Sequence, residues 1–417
     1  MLHRITRSLK VYGANVNAFS PNARLYLYSI VISGASMGIY RLLFNFFALS
    51  LGYDEALLGN LITTSSLTAL IAALPMGYLT DILGRKRSLV ISSLLVTVSL
   101  LVMILFPSVV VFIGMNVLLG LAQSLAGVSM GPFLMENSGE KERTYLFSFS
   151  SGLQMGSAFI GNWVGGYLPT WMGQFWNTLP TSPSAYAWSL AIVTVGTFIS
   201  AGPLLLLKSK KQAVDERSIF APLAYFKGNS SLLGRLILPM LITSIGAGLF
   251  MPFMNIFYRQ VHHQTDSAIG SMFAIGSLAM GLGLLIAPPL ADRFGKIQLV
   301  VITQGISIPF LILLGFSPVY GLSALAYYVR LGLMNMTSPV YQTFVLEKVE
   351  PSARGTVASL VSMANSFGWA FSPTISGMLQ VKFGFSPVFM STLILYIISV
   401  YLYWRYFWKK PQAKTTP

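Results

Sequence analysis

Cysteine is absent from this 417-residue chain, histidine occurs three times and acidic residues only 12 times. Without cysteine there are no disulfides, thiolate metal sites or cysteine nucleophiles. The histidines, His3, His262 and His263, leave too little for a histidine-centred triad or a zinc site. No GxxxxGK[ST] loop is present to cradle the phosphates of ATP. The sequence therefore points away from an enzyme, and no cofactor or metal is expected. The first 20 residues are polar and basic, which is not the pattern of a signal peptide.

Charge of either sign is scarce. Only 9% of the residues are charged and 54% are hydrophobic, yet the net charge is +15. Soluble domains carry roughly 25% charged residues, so this excess is not a nucleic-acid surface, and no nucleic-acid partner is expected. Crossing a bilayer takes about 20 apolar residues. Such runs occur near 25–50, 56–79, 88–106, 109–135, 145–168 and 186–207, and again near 235–258, 267–291, 297–315, 319–344, 355–380 and 386–407. The expectation is an all-α membrane protein of twelve spans. Its divisions are a cytoplasmic segment 1–24, a six-helix bundle 25–207, a central loop 208–234, a second bundle 235–408 and a tail 409–417.

Basic residues orient the spans. With both termini inside, 23 of the 27 lysines and arginines fall in inner segments, and only Arg259 and Lys382 in outer ones. Trp171, Trp176, Tyr186 and Trp188 read as an outer interfacial belt, and Trp404, Tyr406 and Trp408 as an inner one.

A shift of 211 residues superposes Gly59 on Gly270, Leu79 on Leu290, Asp81 on Asp292, Gly84 on Gly295 and Arg85 on Lys296. It also superposes Glu136 on Glu347, Arg143 on Arg354 and Gly166 on Gly377. Two six-helix halves that look like copies are a common transporter design.

The segment Gly77–Tyr–Leu–Thr–Asp81–Ile–Leu–Gly84–Arg85–Lys86–Arg87 resembles the loop motif between the second and third spans of the major facilitator superfamily, with Pro289–Leu–Ala–Asp292–Arg293–Phe–Gly295–Lys296 as its echo. The resemblance covers about Ala23 to Trp408 and implies two pseudo-symmetric bundles working by rocker-switch alternating access. It implies that Asp81 bridges to the start of the eleventh span, with Asp292 its counterpart at the fifth. The gating set is Asp81, Gly84, Arg85, Arg87, Glu136, Arg143, Asp292, Gly295, Glu347 and Arg354; Glu136 is expected to pair with Arg143 and Glu347 with Arg354. The alternative is that these acids and bases only anchor loops. In the fifth span, Gly161–Asn162–Trp163–Val–Gly165–Gly166 is similar to the glycine–proline element of drug/proton antiporters, with Asn162 in place of proline. It reads equally as a hinge or as dense packing. The antiporter arginine of the fourth span is here Asn116, four residues before Gly120, and no acid falls in mid-span.

Two arginines do fall there, Arg41 in the first span and Arg330 in the tenth. Mid-bilayer arginine costs about 2.5–3.5 kcal/mol on insertion scales, so each must find a polar partner or cavity. Either they clamp an anionic group between them, or each caps carbonyls or water, or snorkels. Candidate companions are Asn45, Asn116, Gln123, Asn335, Asn365 and Trp369, each of which serves equally as a helix–helix contact. The leading expectation is a secondary active transporter of a small anionic or zwitterionic solute. A proton-coupled multidrug exporter is the alternative, and a lipid-handling or non-transporting relative a weaker one. Expected partners are the solute, membrane lipid, and a coupling proton or counter-transported anion, with the protein a monomer.

Overall fold

The computed structural model describes residues 18–139, 142–208, 230–350 and 354–408, with the backbone alone at 144, 354–356 and 359. The expected segment before residue 18, most of the central loop and the tail 409–417 lie outside these residues. The described residues form helices and no strand. They are Pro21–Ser50 (α1), Glu55–Leu83 (α2), Arg85–Leu105 (α3), Val109–Glu136 (α4), Arg143–Trp176 (α5) and Pro183–Leu205 (α6). Ser230–Gln260 (α7), Asp266–Phe294 (α8), Lys296–Phe316 (α9), Tyr320–Glu347 (α10), Arg354–Phe383 (α11) and Ser386–Trp408 (α12) follow.

Nine of the described helices are long and apolar enough to cross a membrane. The other three, α5, α10 and α11, have 34, 28 and 30 residues, which is ample length. They hold the fifth-span glycine run, Arg330 and Asn365, and these residues lower their hydropathy. Several helices outrun the apolar runs that announced them, because helix geometry continues into capped ends. Ser20, Ser108 and Ser182 accept hydrogen bonds from the amides of Ala23, Val111 and Ala185. One run read as continuous is broken: a 3-10 turn, Met251–Phe253, interrupts α7. Pro252 supplies the cause, since it cannot donate to the helix ladder.

By internal contacts the chain falls into two compact units. The first is Met1–Tyr53, Thr64–Glu216 and Gln264–Ser277; the second is Asp54–Thr63, Arg217–His263 and Leu278–Pro417. In the first unit α1 packs on α5 and α6, and α3 on α4 and α6. In the second, α7 packs on α11 and α12, and α9 on α10 and α12. The pattern repeats six helices on. Each unit has an apolar cluster toward its basic-rich end, built on Leu89, Phe133, Leu146 and Leu204 in the first and on Leu236, Val300, Phe344 and Tyr403 in the second.

Glycine sets the closest approaches. A Cβ on Gly270 of α8 would lie 2.6 Å from the Asn162 carbonyl and 2.7 Å from the Gly166 Cα of α5, within the first unit. In the second unit, a Cβ on Gly59 of α2 would strike the Pro373 carbonyl of α11, and one on Gly377 the Glu55 carbonyl. These are the glycines that the 211-residue shift superposes. The fifth-span run is packing of this kind: Gly161 meets Ala35 and Gly165 meets Ile39 of α1, while Gly166 meets α8. Gly270→Ala should therefore lower the unfolding temperature, by the 1–3 kcal/mol usual for an overpacked methyl. Gly77→Ala, whose Cβ would meet nothing within 4 Å, should leave it unchanged or raised.

Candidate functional site

The paired loop motif folds alike in both units. Gly84 and Gly295 precede α3 and α9 with φ of 81° and 92°, a region that favours glycine. Arg85 opens α3 and reaches back one turn to Asp81, Nη1 to Oδ1 2.7 Å, while its Nε meets Glu136 Oε1 at 3.4 Å. Lys296, the repeat-related base, pairs with Glu347. The acids at the ends of α4 and α10 thus engage the residues that open α3 and α9, because those helices pack side by side. Arg143 keeps a buried Nε with no acceptor among the described residues, and the side chain of Arg354 lies outside them. Asp81 turns to its own helix pair through Arg85, whereas Asp292 and Arg87 are exposed.

The two mid-span arginines differ. Arg41, in the first unit, is exposed at the centre of α1, directly before a buried stretch from Leu42 to Ala48. Arg330, in the second unit, is 4% exposed. Its guanidinium carbon lies 4.7 Å from the ring centre of Phe250 and 4.8 Å from that of Tyr396. Phe250 is the last residue of α7 before its interruption, so the guanidinium stands at the negative end of a half-helix. Ring faces and a helix end stabilise a cation, yet Arg330 Nε and Nη2 are buried without an acceptor among the described residues.

The proposed companions divide by how their polar atoms are spent. Asn116 is buried and donates to the Phe112 carbonyl at 2.9 Å and toward Met103 Sδ at 3.8 Å, so it serves α3–α4 packing. Asn335 donates to the Leu331 carbonyl at 2.8 Å. Asn45 is buried, Gln123 and Asn365 are exposed, and Trp369 is half-buried. In the second unit, the Asn365 carbonyl accepts from Ser244 of α7.

Sequence reasoning missed one polar pair. Tyr186 is fully buried, unlike Trp171, Trp176 and Trp188, so it is not part of the lipid-facing belt. Its hydroxyl donates to Asp266 Oδ2 at 2.6 Å, joining α6 to the start of α8 within the first unit. A tyrosine expected at the interface carries no sequence signal that distinguishes an anchor from a partner.

The whole chain matches a family model described as the Major Facilitator Superfamily, over residues 26–245 and 236–417. It is 25% identical over 411 residues to the multidrug resistance protein MdtG of Proteus mirabilis (strain HI4320), covering 95% of this chain and 98% of that one. The MdtG protein of Dickeya zeae (strain Ech586) is 23% identical over 351 residues, 83% of each chain. Among solved structures, the nucleoside transporter NupG superposes with a TM-score of 0.75 at 16% identity, covering 92% of this chain and 98% of that one. A D-xylose–proton symporter gives 0.67 at 16% identity, covering 92% and 95%.

Arg85→Gln would remove two ionic partners at a half-buried site and Lys296→Gln one at a more exposed site. The first should lower stability by about 1–2 kcal/mol and the second by less than about 1 kcal/mol, read as midpoint shifts in chemical denaturation.

Proposed function

Because this chain belongs to the major facilitator superfamily, we propose that it carries a small organic solute with an anionic or zwitterionic group, and that Arg330 receives that group. The protein is a multi-pass integral membrane protein and a secondary active transporter, and alternating access between its two halves is its mode of action. The observation that carries the solute class is the buried Arg330 guanidinium with two donors lacking an acceptor. A carboxylate or phosphate matches its planar fork, and an interrupted helix beside it is where transporters place polar recognition. Arg41 supplies the second basic group from α1, with Asn45, Gln123, Asn335, Asn365 and Trp369 as further candidates. Asn116 is the weakest of the set, since its amide is already spent on the Phe112 carbonyl.

The basic-residue bias supports a cytoplasmic position for both termini. A monomer surrounded by lipid, with a proton or a counter-transported anion as driving partner and no catalytic step, completes the proposal. The domain divisions at 25–207 and 235–408 are retained as the moving halves, with the Arg85–Asp81–Glu136 and Lys296–Glu347 clusters as gating elements at the cytoplasmic face.

A second reading, proton-coupled multidrug export, is favoured by relatives named multidrug resistance proteins that align over 95% of this chain. The replacement of the antiporter arginine by Asn116 weighs against it. In proteoliposomes, Arg330→Ala should weaken transport of a labelled carboxylate or zwitterion at least about tenfold, and Arg330→Lys less, since it keeps charge but loses the fork. Unchanged carboxylate transport in Arg330→Ala, with cationic dye transport abolished by collapsing the pH gradient, would select the export reading instead.

A further inference from the structure

Among the described residues Asp266 is the one buried carboxylate, at 9% exposure. It opens α8, where the helix dipole favours its charged form, and it accepts the Tyr186 hydroxyl at 2.6 Å, a length typical of a charge-assisted bond. Two residues on, α8 closes against α5 through Gly270 and Gly166. The 211-residue shift relates Asp266 to Glu55, the acid that opens α2. Glu55 is more exposed, and takes its hydrogen bond from the neutral amide of Gln260 at 2.6 Å. Two acids occupy equivalent places in the repeat, and one of them has been enclosed with a phenol.

Little else there can hold charge. From α6 the facing ionisable group is Tyr186. The helix α5 carries no acid, and its ionisable side chains are Arg143, Tyr145 and Tyr167; of these, Tyr167 packs on Trp163 and Trp171. The helix α1, which meets Tyr186 through Phe46, has only Arg24, Tyr26, Tyr28, Tyr40 and Arg41.

We infer that Asp266 is a proton-binding site and that its bond with Tyr186 is a latch holding the basic-poor ends of α6 and α8 together. Protonation from that side turns a charge-assisted bond into a neutral one, weakens the latch, and lets α8 leave α5 and α6. The inference rests on alternating access and not on the identity of the solute. It also supplies a proton site to a chain whose spans hold no mid-membrane acid.

The natural absence of cysteine makes the test direct. Ile269→Cys, at a fully buried position of α8, reports opening, and Leu179→Cys, at a site 73% exposed between α5 and α6, corrects for thiol ionisation. Both are labelled in membrane vesicles with an impermeant maleimide applied from the basic-poor side, between about pH 5 and about pH 8, the range across and above ordinary carboxylate titration. The Ile269→Cys rate, divided by the reference rate, should rise several-fold as the pH falls. Tyr186→Phe should make it roughly tenfold faster at the upper pH, the factor that 1.4 kcal/mol represents. Asp266→Asn, which keeps a neutral bond, should accelerate it less and flatten its pH dependence. A corrected rate independent of pH, or either variant labelling like its parent, overturns the inference. Labelling needs no solute, so pH-dependent labelling with transport indifferent to Arg330 would fail the solute reading alone.

Discussion

Everything in this molecule depends on helix backbones approaching more closely than side chains normally permit. Lipid tails are as apolar as leucine, so burial of apolar area does little to hold two spans together. Contact between backbones does more, and glycine is what allows it. The approaches of Gly270 to α5 and of Gly59 to α11 each join helix segments more than a hundred residues apart in sequence. Because the two crossings are related by one sequence shift, the same solution has been used twice.

Polar side chains obey the complementary rule. In hydrocarbon an unmet donor is costly, and most serines and threonines here turn to the carbonyl four residues back on their own helix. Ser36 to Ile32, Thr80 to Met76, Thr194 to Leu190 and Thr392 to Val388 are examples. Polar content of that kind adds no function. It makes the exceptions informative: a guanidinium caged by rings with donors to spare, and a carboxylate closed against a phenol. The amide of Asn116 belongs to the quiet majority, although its position in the sequence had suggested a ligand.

Architecture was legible in the sequence because two independent periodicities encode it. Apolar runs of span length alternate with basic loops, and the motif at Asp81–Gly84–Arg85 returns at Asp292–Gly295–Lys296. The ion pairs were less legible. Pairing Glu136 with Arg143 assumed that nearness in sequence means nearness in space, whereas the side-by-side packing of α3 and α4 brings Arg85 to that carboxylate. The break in α7 had its signal in Pro252, overlooked because proline recurs within these helices, as at Pro75, Pro132 and Pro373. Tyr186 had no signal at all. Burial of an aromatic near a membrane interface depends on which way its helix is turned, and that is fixed by tertiary packing.

The repeat also gives the molecule an internal standard. Any substitution in one half has a counterpart 211 residues away, in the same chain, the same lipid and the same sample. Where the two members of a pair respond alike, the residue serves the shared scaffold. Where they part, as the surroundings of Glu55 and Asp266 already do, the difference marks what specialisation has added to a duplicated ancestor.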